Sequence, residues 1–382
     1  MKQVIYILMV FIIVSCKEDK GLSRQLPPAE TIEQQKNSHA EGFTLIKNDN
    51  YSILTISNPW PKADKVYRYA LIPKENASKI TLNKDDFDGM IVTPVQKIVV
   101  TSTTHIPALE LLGVEQTLVG FPGTDYISSE RTRTQIDNGD IRELGNNEGI
   151  NTEVLLELRP DVVVTFGVDG TNKTMETIEK AGITVIYNGD WVEKSPLAKA
   201  EWIKFFGALY HKESEAKSIF DQIEKDYLEA KSIAAKASKK PTVLCGAMYK
   251  DVWYLPNGTS PEAQFLNDAN VNYLWSETKE TGSIALNFEA VFNKAKTAEL
   301  WLSPSYYLSY DALEKANAHY TQFDAFQNKK IYTFSNTTGK TGGVLYYELG
   351  AARPDLVLKD MIKICHPELL TDYKTTFFKP LD

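Results

Sequence analysis

The chain has 382 residues, 43% of them hydrophobic, which is enough for two domains with cores of their own. A formal net charge of -8 and a pI near 5.4, with Lys and Arg not clustered anywhere, exclude a nucleic-acid partner, which would require a basic face. Three cysteines, Cys16, Cys245 and Cys365, are too few to replace a core with a disulfide framework.

The chain opens with Lys2, an apolar run over residues 4–14, Ser15 and Cys16, the layout of a secretory signal. The run is too short to span a bilayer as a mature helix, and the charged Lys17-Glu18-Asp19-Lys20 that follows leaves it no amphipathic face to bury. The Val14-Ser15-Cys16 ending resembles a bacterial lipobox, so residues 1–16 read as a lipoprotein signal and Cys16 as the lipid anchor of the mature chain. Cys245 and Cys365 then remain, as one disulfide or as two buried thiols. Residues 17–40 are polar and charged and read as a flexible tether. Residues 41–95 hold short β-type segments separated by Asn-Asp, Asn-Pro and Lys-Glu-Asn turns, which predicts a small antiparallel β-rich add-on at the entrance of the first domain.

From residue 96 the pattern changes to apolar strands alternating with helical segments: Ile98-Val99-Val100, Thr117-Leu118-Val119-Gly120, Asp161-Val162-Val163-Val164-Thr165 and Ile183-Thr184-Val185-Ile186-Tyr187. Continuous apolar strands with helices between them predict a mainly parallel sheet covered on both faces. Such a sheet binds ligands beyond the carboxyl ends of its strands. Residues 195–239 read as one long helix, with Ser195 as cap, Pro196 in the first turn and a stripe of Ala216, Phe220, Ile223, Tyr227 and Ala230. At that length it would reach about 60 Å and join two lobes. The α/β alternation restarts after Pro241, and a helical tail from about Glu348 to Cys365 closes the chain. The fold class expected is therefore α/β, with a first lobe at 96–194, a connecting helix at 195–239 and a second lobe at 240–382.

One run is specific: Asn151-Thr152-Glu153-Val154-Leu155-Leu156-Glu157-Leu158-Arg159-Pro160-Asp161-Val162-Val163-Val164, a glutamate-bearing helix leading through a Pro-Asp step into an apolar strand. Together with Ala108-Leu109-Glu110-Leu111-Leu112-Gly113-Val114, Asn257-Gly258-Thr259-Ser260, Asp268-Ala269-Asn270-Val271-Asn272 and Leu286-Asn287-Phe288-Glu289-Ala290-Val291, it resembles the periplasmic substrate-binding proteins of ABC importers for vitamin B12, ferric siderophores and haem. The resemblance covers about residues 95–365. It implies two α/β lobes joined by one long helix, with an iron complex (ferric siderophore or haem) or cobalamin held between them and no catalytic residue. It further implies a permease dimer with its ATPase subunits as partner, docked through one glutamate per lobe. By motif position these are Glu153 and Glu289. A lipid-anchored periplasmic location follows. Cys16-Lys17-Glu18-Asp19 also resembles a surface-export signal, which keeps open a surface-displayed capture lipoprotein.

The loops after the strands offer the candidate ligand contacts. Tyr126, Trp191, Tyr249, Trp253, Tyr306 and Tyr346 supply rigid aromatic area with polar tips, which suits a macrocycle or a siderophore shell. Arg131, with Arg133 beside it, could pair with ligand carboxylates or negative charge. His105, alone among five scattered histidines, falls in an expected cleft loop and is a candidate axial ligand to a haem or cobalt centre. A bare metal ion would need several converging His and carboxylate ligands, a pattern the histidines do not form. An enzyme of similar two-lobed layout is the remaining class, but the chain has no phosphate-binding glycine loop, no Gly-x-Ser-x-Gly elbow and no His-Glu-x-x-His helix.

Overall fold

The computed structural model describes residues 33–382 apart from 148, 171, 280 and 281. The signal, the anchor position Cys16 and most of the expected tether lie outside the described residues. The end of that tether, however, belongs to the fold. Glu33–Gln35 forms strand β1, antiparallel to β2 (Phe43–Lys47). Next along the chain, the backbone N–H groups of Ser38, His39 and Ala40 all donate to the carboxylate of Glu201, at 2.7–2.8 Å. Composition describes side chains, whereas this segment is held through its main chain.

The add-on continues with β3 (Ser52–Ile56), β4 (Tyr67–Pro73) and β5 (Gly89–Thr93). Its sheet runs in chain order, antiparallel up to β4, and then adds β5 in parallel with Tyr69 opposite Gly89. The expected all-antiparallel unit at an entrance is thus a mixed sheet fused to the side of the first lobe. Phe43 packs 4.7 Å from the ring of Trp202, and Phe43, Leu54, Ile56 and Leu71 share one core with Ile98 and Val100. At the join, Gly89 has no room for a side chain, since a Cβ there would meet Thr184 Cγ2 at 2.5 Å.

The first lobe comprises β6 (Ile98–Val100), α1 (Ile106–Leu111), β7 (Leu118–Phe121), α2 (Glu130–Asn138), β8 (Arg142–Glu143), a hairpin of β9 (Gly145–Asn146) and β10 (Gly149–Ile150), α3 (Thr152–Leu158), β11 (Val162–Thr165), α4 (Lys173–Lys180) and β12 (Thr184–Tyr187). Its main sheet is parallel throughout, in the order β12-β11-β6-β7-β8. Every residue of β6 and Val162, Val163 and Val164 of β11 are fully buried, as the uninterrupted apolar runs require. The strand order reverses between β6 and β11. A crevice opens at such a switch point, and there Thr101 and Thr165 join hydroxyls at 3.0 Å.

The expected single long helix is three helices. These are α5 (Pro196–Glu201), α6 (Ile203–Leu209) and α7 (Glu213–Ala234), the last with 22 residues. A break falls at His211, whose φ is +55°, where the chain reverses so that Gly207 of α6 lies against Ala216 of α7. The 60 Å span is therefore replaced by a helix of about 33 Å. The apolar stripe was nevertheless correctly placed, and one helix face serves two cores. Ala216, Phe220 and Ile223 pack into the first lobe, and Tyr227, Ala230 and Ala234 into the second.

The second lobe holds β13 (Thr242–Cys245), β14 (Met248–Tyr249), β15 (Val252–Pro256), α8 (Pro261–Asp268), β16 (Asn272–Tyr273), β17 (Ser283–Leu286), α9 (Phe288–Ala295), β18 (Leu300–Leu302), α10 (Tyr310–Ala316), α11 (Asp324–Gln327), β19 (Ile331–Thr333), α12 (Leu345–Leu349), α13 (Pro354–Cys365) and β20 (Lys379–Pro380). The main sheet, β16-β13-β18-β19-β20, is parallel except for β20, and β14-β15-β17 form a separate antiparallel sheet. Cys245 and Cys365 are free thiols.

Candidate functional site

The carboxyl edges of the two parallel sheets face each other across a cavity of about 520 Å³. From the first lobe come Thr101, Ser102 and Thr103 after β6, Phe121 and Tyr126 around the end of β7, and Phe166 after β11, with Asn147 from the turn of the β9–β10 hairpin. From the second lobe come Tyr306 after β18 and Tyr347 of α12.

Each wall is held by local hydrogen bonding. Glu143 folds the loop before Tyr126 by accepting from Gly123 N at 2.8 Å, Thr124 N at 2.7 Å and Gly145 N at 2.8 Å. Burial pushes this carboxyl up, but these donors and the Thr124 hydroxyl together hold it below its ordinary range. Across the cavity, Ser303 and Ser305 both adopt left-handed backbone, with φ of +51° and +56°, and Ser335 Oγ donates to Ser305 O at 3.0 Å. Two non-glycine residues in that region cost on the order of 1–3 kcal/mol each and persist only where the surroundings enforce them. Here they present Tyr306, whose side chain is 73% exposed to the cavity mouth and hydrogen-bonded to Tyr347. Burial raises the Tyr347 phenol above its ordinary range, so this group stays protonated and offers a donor.

On one flank the second lobe reaches over to the first. Gly339 N donates to Gly343 O at 2.8 Å, closing a strap that packs on the segment before α2. Ser128 Oγ donates to Gly343 O at 2.9 Å, Thr341 Oγ1 donates to Asp125 O at 2.8 Å, and Lys340 pairs with Asp137 at 3.0 Å. Glu348 of α12 completes the bridge by accepting from Ser128 N at 2.5 Å and Ser129 N at 2.9 Å. Its carboxyl is 2% exposed, and burial pushes its pKa up to about 7, with Glu110 adding repulsion and the two backbone donors opposing.

A pH effect follows. Between the ordinary glutamate value and about 7 the folded chain binds a proton that the unfolded chain has released, so Glu348 makes stability fall as pH rises through that window and level off above it. The loss is on the order of 3 kcal/mol. Urea unfolding of the wild type and of Glu348→Gln at several pH values isolates this contribution. Identical pH slopes in the two proteins would refute it.

The other expected contacts are distributed differently. Trp253 is fully buried in the second-lobe core, stacked 5.5 Å from Trp301 and donating Nε1–H to Cys245 O at 2.9 Å. Tyr346 stacks on Phe334 at 4.2 Å and packs against Phe377 and Phe378, so its neighbour Tyr347 is the cleft residue. His105 points into the first-lobe core, 5.6 Å from Phe206, and both ring nitrogens are without a partner. Burial drives its pKa down to about 4 against the pull of Asp190, so it is a neutral core residue and not an axial ligand facing the cleft. Arg131 is engaged by Glu115. Arg133 donates to Thr124 O at 2.6 Å, so both arginines are tied into the scaffold. Trp191 and Tyr249 are exposed but stand outside the cavity lining. Among the described residues no three His, Cys, Asp or Glu side chains gather as a metal site.

Glu153 and Glu289 occupy equivalent positions. Each is the second residue of a helix, α3 or α9, behind an asparagine cap, Asn151 accepting from Val154 N and Asn287 from Ala290 N. Both are exposed. Helices that lead into parallel strands run back against them, which places both N-termini at the edge where the cavity opens.

Residues 98–338 match the family described as periplasmic binding protein. An uncharacterized lipoprotein of Methanocaldococcus jannaschii is 26% identical over 388 residues, covering 96% of this chain and 90% of its own. A second lipoprotein of that organism is 24% identical, covering 95% and 94% respectively. Among solved structures, a possible iron-binding, periplasmic solute-binding protein of Staphylococcus epidermidis superposes with a TM-score of 0.56 at 17% identity, covering 72% of this chain and all of its own. A periplasmic haem-binding protein of Pseudomonas aeruginosa gives 0.55 at 16% identity, covering 75% and 98%. At these identities the solved structures share the fold.

Proposed function

The chain belongs to the periplasmic binding protein family, and from that membership we propose that it captures an iron complex or a corrinoid between its lobes and delivers it to an ABC importer. The observation that carries this reading is the aromatic-lined cavity between the carboxyl edges of two parallel sheets, the place where α/β folds bind ligands. Tyr126, Tyr306 and Tyr347 supply flat, rigid contact area with hydroxyl tips, at low cost in side-chain entropy. The lobes are joined by α7 and bridged by the strap, so the cavity is largely formed before ligand arrives. Binding needs only small hinge motion. The N-terminal signal and Cys16 supply the lipid tether, in keeping with relatives named as lipoproteins. No helix among the described residues is long and apolar enough to cross a membrane. A receiving permease dimer docks on the edge that carries Glu153 and Glu289, and its ATPase subunits supply the energy.

Retention of a coloured complex after gel filtration, from a mixture of iron and corrinoid complexes, tests the reading. One complex per protein is expected, with its spectrum unchanged over time. Replacing Tyr306 and Tyr347 together by alanine is expected to remove about 3 kcal/mol of binding, roughly a hundredfold in affinity by fluorescence titration. Turnover of the complex, or undiminished affinity in the double variant, would overturn it.

A further inference from the structure

None of the described residues that line the cavity carries a charge. The lining is hydroxyl, amide and aromatic: Thr101, Ser102, Thr103, Asn147, Phe166 and the three tyrosines. The cations close to the site are already committed. Arg133 gives Nη1–H to Thr124 O and stands 3.6 Å from Asp137 and 4.0 Å from Asp125, Lys340 pairs with Asp137, so that two carboxylates balance these two cations, and Arg131 is held by Glu115. The neighbouring hollow behind Phe166 brings Lys173 together with Asp169, so it adds no net positive charge. Glu110, Glu143 and Glu348 lie beneath the walls, each taken up by local hydroxyl or backbone donors. The field over the cavity is therefore neutral to negative.

Charge entering such a cleft loses hydration, and with no counter-charge waiting the loss is not recovered. Three singly charged hydroxamates neutralise a ferric ion, whereas three doubly charged catecholates leave it a trianion, and haem brings two propionates. Resting on the cleft as the site of a metal complex, we infer that this cavity selects complexes of zero or positive net charge, such as a ferric trihydroxamate or a cobinamide-type corrinoid, over ferric tris-catecholate and haem.

Fluorescence titration of the full chain tests this with four probes: a ferric trihydroxamate, cobinamide, ferric tris-catecholate and haem. The expected result is binding of one of the first two at least tenfold tighter than either anion, with an affinity that high salt leaves unchanged for the neutral complex or lowers for the cationic one. Asn147→Arg, an exposed hairpin position on the rim, is expected to narrow the gap by strengthening tris-catecholate binding at low salt, with thermal stability unchanged. Tighter binding of tris-catecholate or haem by the wild type would overturn the charge inference and leave the cleft reading standing. Failure of all four to bind would overturn both.

Discussion

Reversing the charge of Glu153 and Glu289 together, as Glu153→Lys with Glu289→Lys, is expected to abolish uptake while the purified protein keeps its ligand affinity. Both side chains are exposed on the edge where the cavity opens, yet neither lines it. A carboxylate at each lobe can form directional charge-assisted pairs with guanidinium groups on a permease, and two such contacts fix the docking orientation. Reversal turns each attraction into repulsion, which costs several kcal/mol per contact and reduces uptake by at least roughly a thousandfold for the pair. The folded chain itself loses little, about 0.3–1 kcal/mol per site, because a carboxylate near a helix N-terminus interacts favourably with the helix dipole. Uptake by cells carrying the double variant, set beside titration of the purified protein, decides the matter. Intact uptake would refute docking through these residues.

The second large effect is on stability. Glu201 is fully buried at the junction of the add-on, α5 and α7, and accepts from Ser38 N, His39 N and Ala40 N as well as from Lys204 Nζ at 2.5 Å. Burial alone would raise its pKa, but the ammonium of Lys204 and the three backbone donors hold it below the usual range. Lys204 is itself 4% exposed, with its ammonium 4.7 Å from the ring of Phe220. Glu201→Ala leaves a buried cation, the buried N–H of Ala40 and the part-buried N–H groups of Ser38 and His39 without this partner, and is expected to cost about 3–5 kcal/mol in urea unfolding. Lys204→Met should cost less, since Glu201 keeps its backbone donors. Hydrogen exchange at Ser38, His39 and Ala40 should rise sharply in the first variant only. Equal losses in the two variants would mean that the ion pair, and not the backbone capture, holds this segment.

The readings that succeeded were those in which burial imposes a local pattern. Strands covered on both faces must be apolar without interruption, and Val162-Val163-Val164 is; a helix that packs along one side must repeat its apolar residues, and Ala216 to Ala234 does. The readings that failed turned on which way one residue faces. Trp253 and Tyr254 are adjacent on β15, yet the first is buried and the second exposed, and on α12 the partly buried Tyr346 packs against the second-lobe core while Tyr347 lines the cavity. No proline marks the break at His211; it is visible only in that residue's left-handed backbone and in the close approach of Gly207 to Ala216. The roles of Asn147 and of the strap over residues 339–343 are not legible in the sequence for a related reason. Their turn-rich sequence marks loops, but their contacts lie in distant parts of the chain.

By itself the sequence determined the two parallel sheets, their order along the chain, the family and the equivalent positions of Glu153 and Glu289, all properties written in short stretches of chain. Tertiary structure alone decided which aromatics meet across the cleft, that the nearby cations are already neutralised, and that residues 33–35 pair with β2 while residues 38–40 are held by Glu201. Those outcomes join groups as many as 220 residues apart, as Ser128 and Glu348 are, and no local pattern encodes a contact that only packing of the whole chain creates.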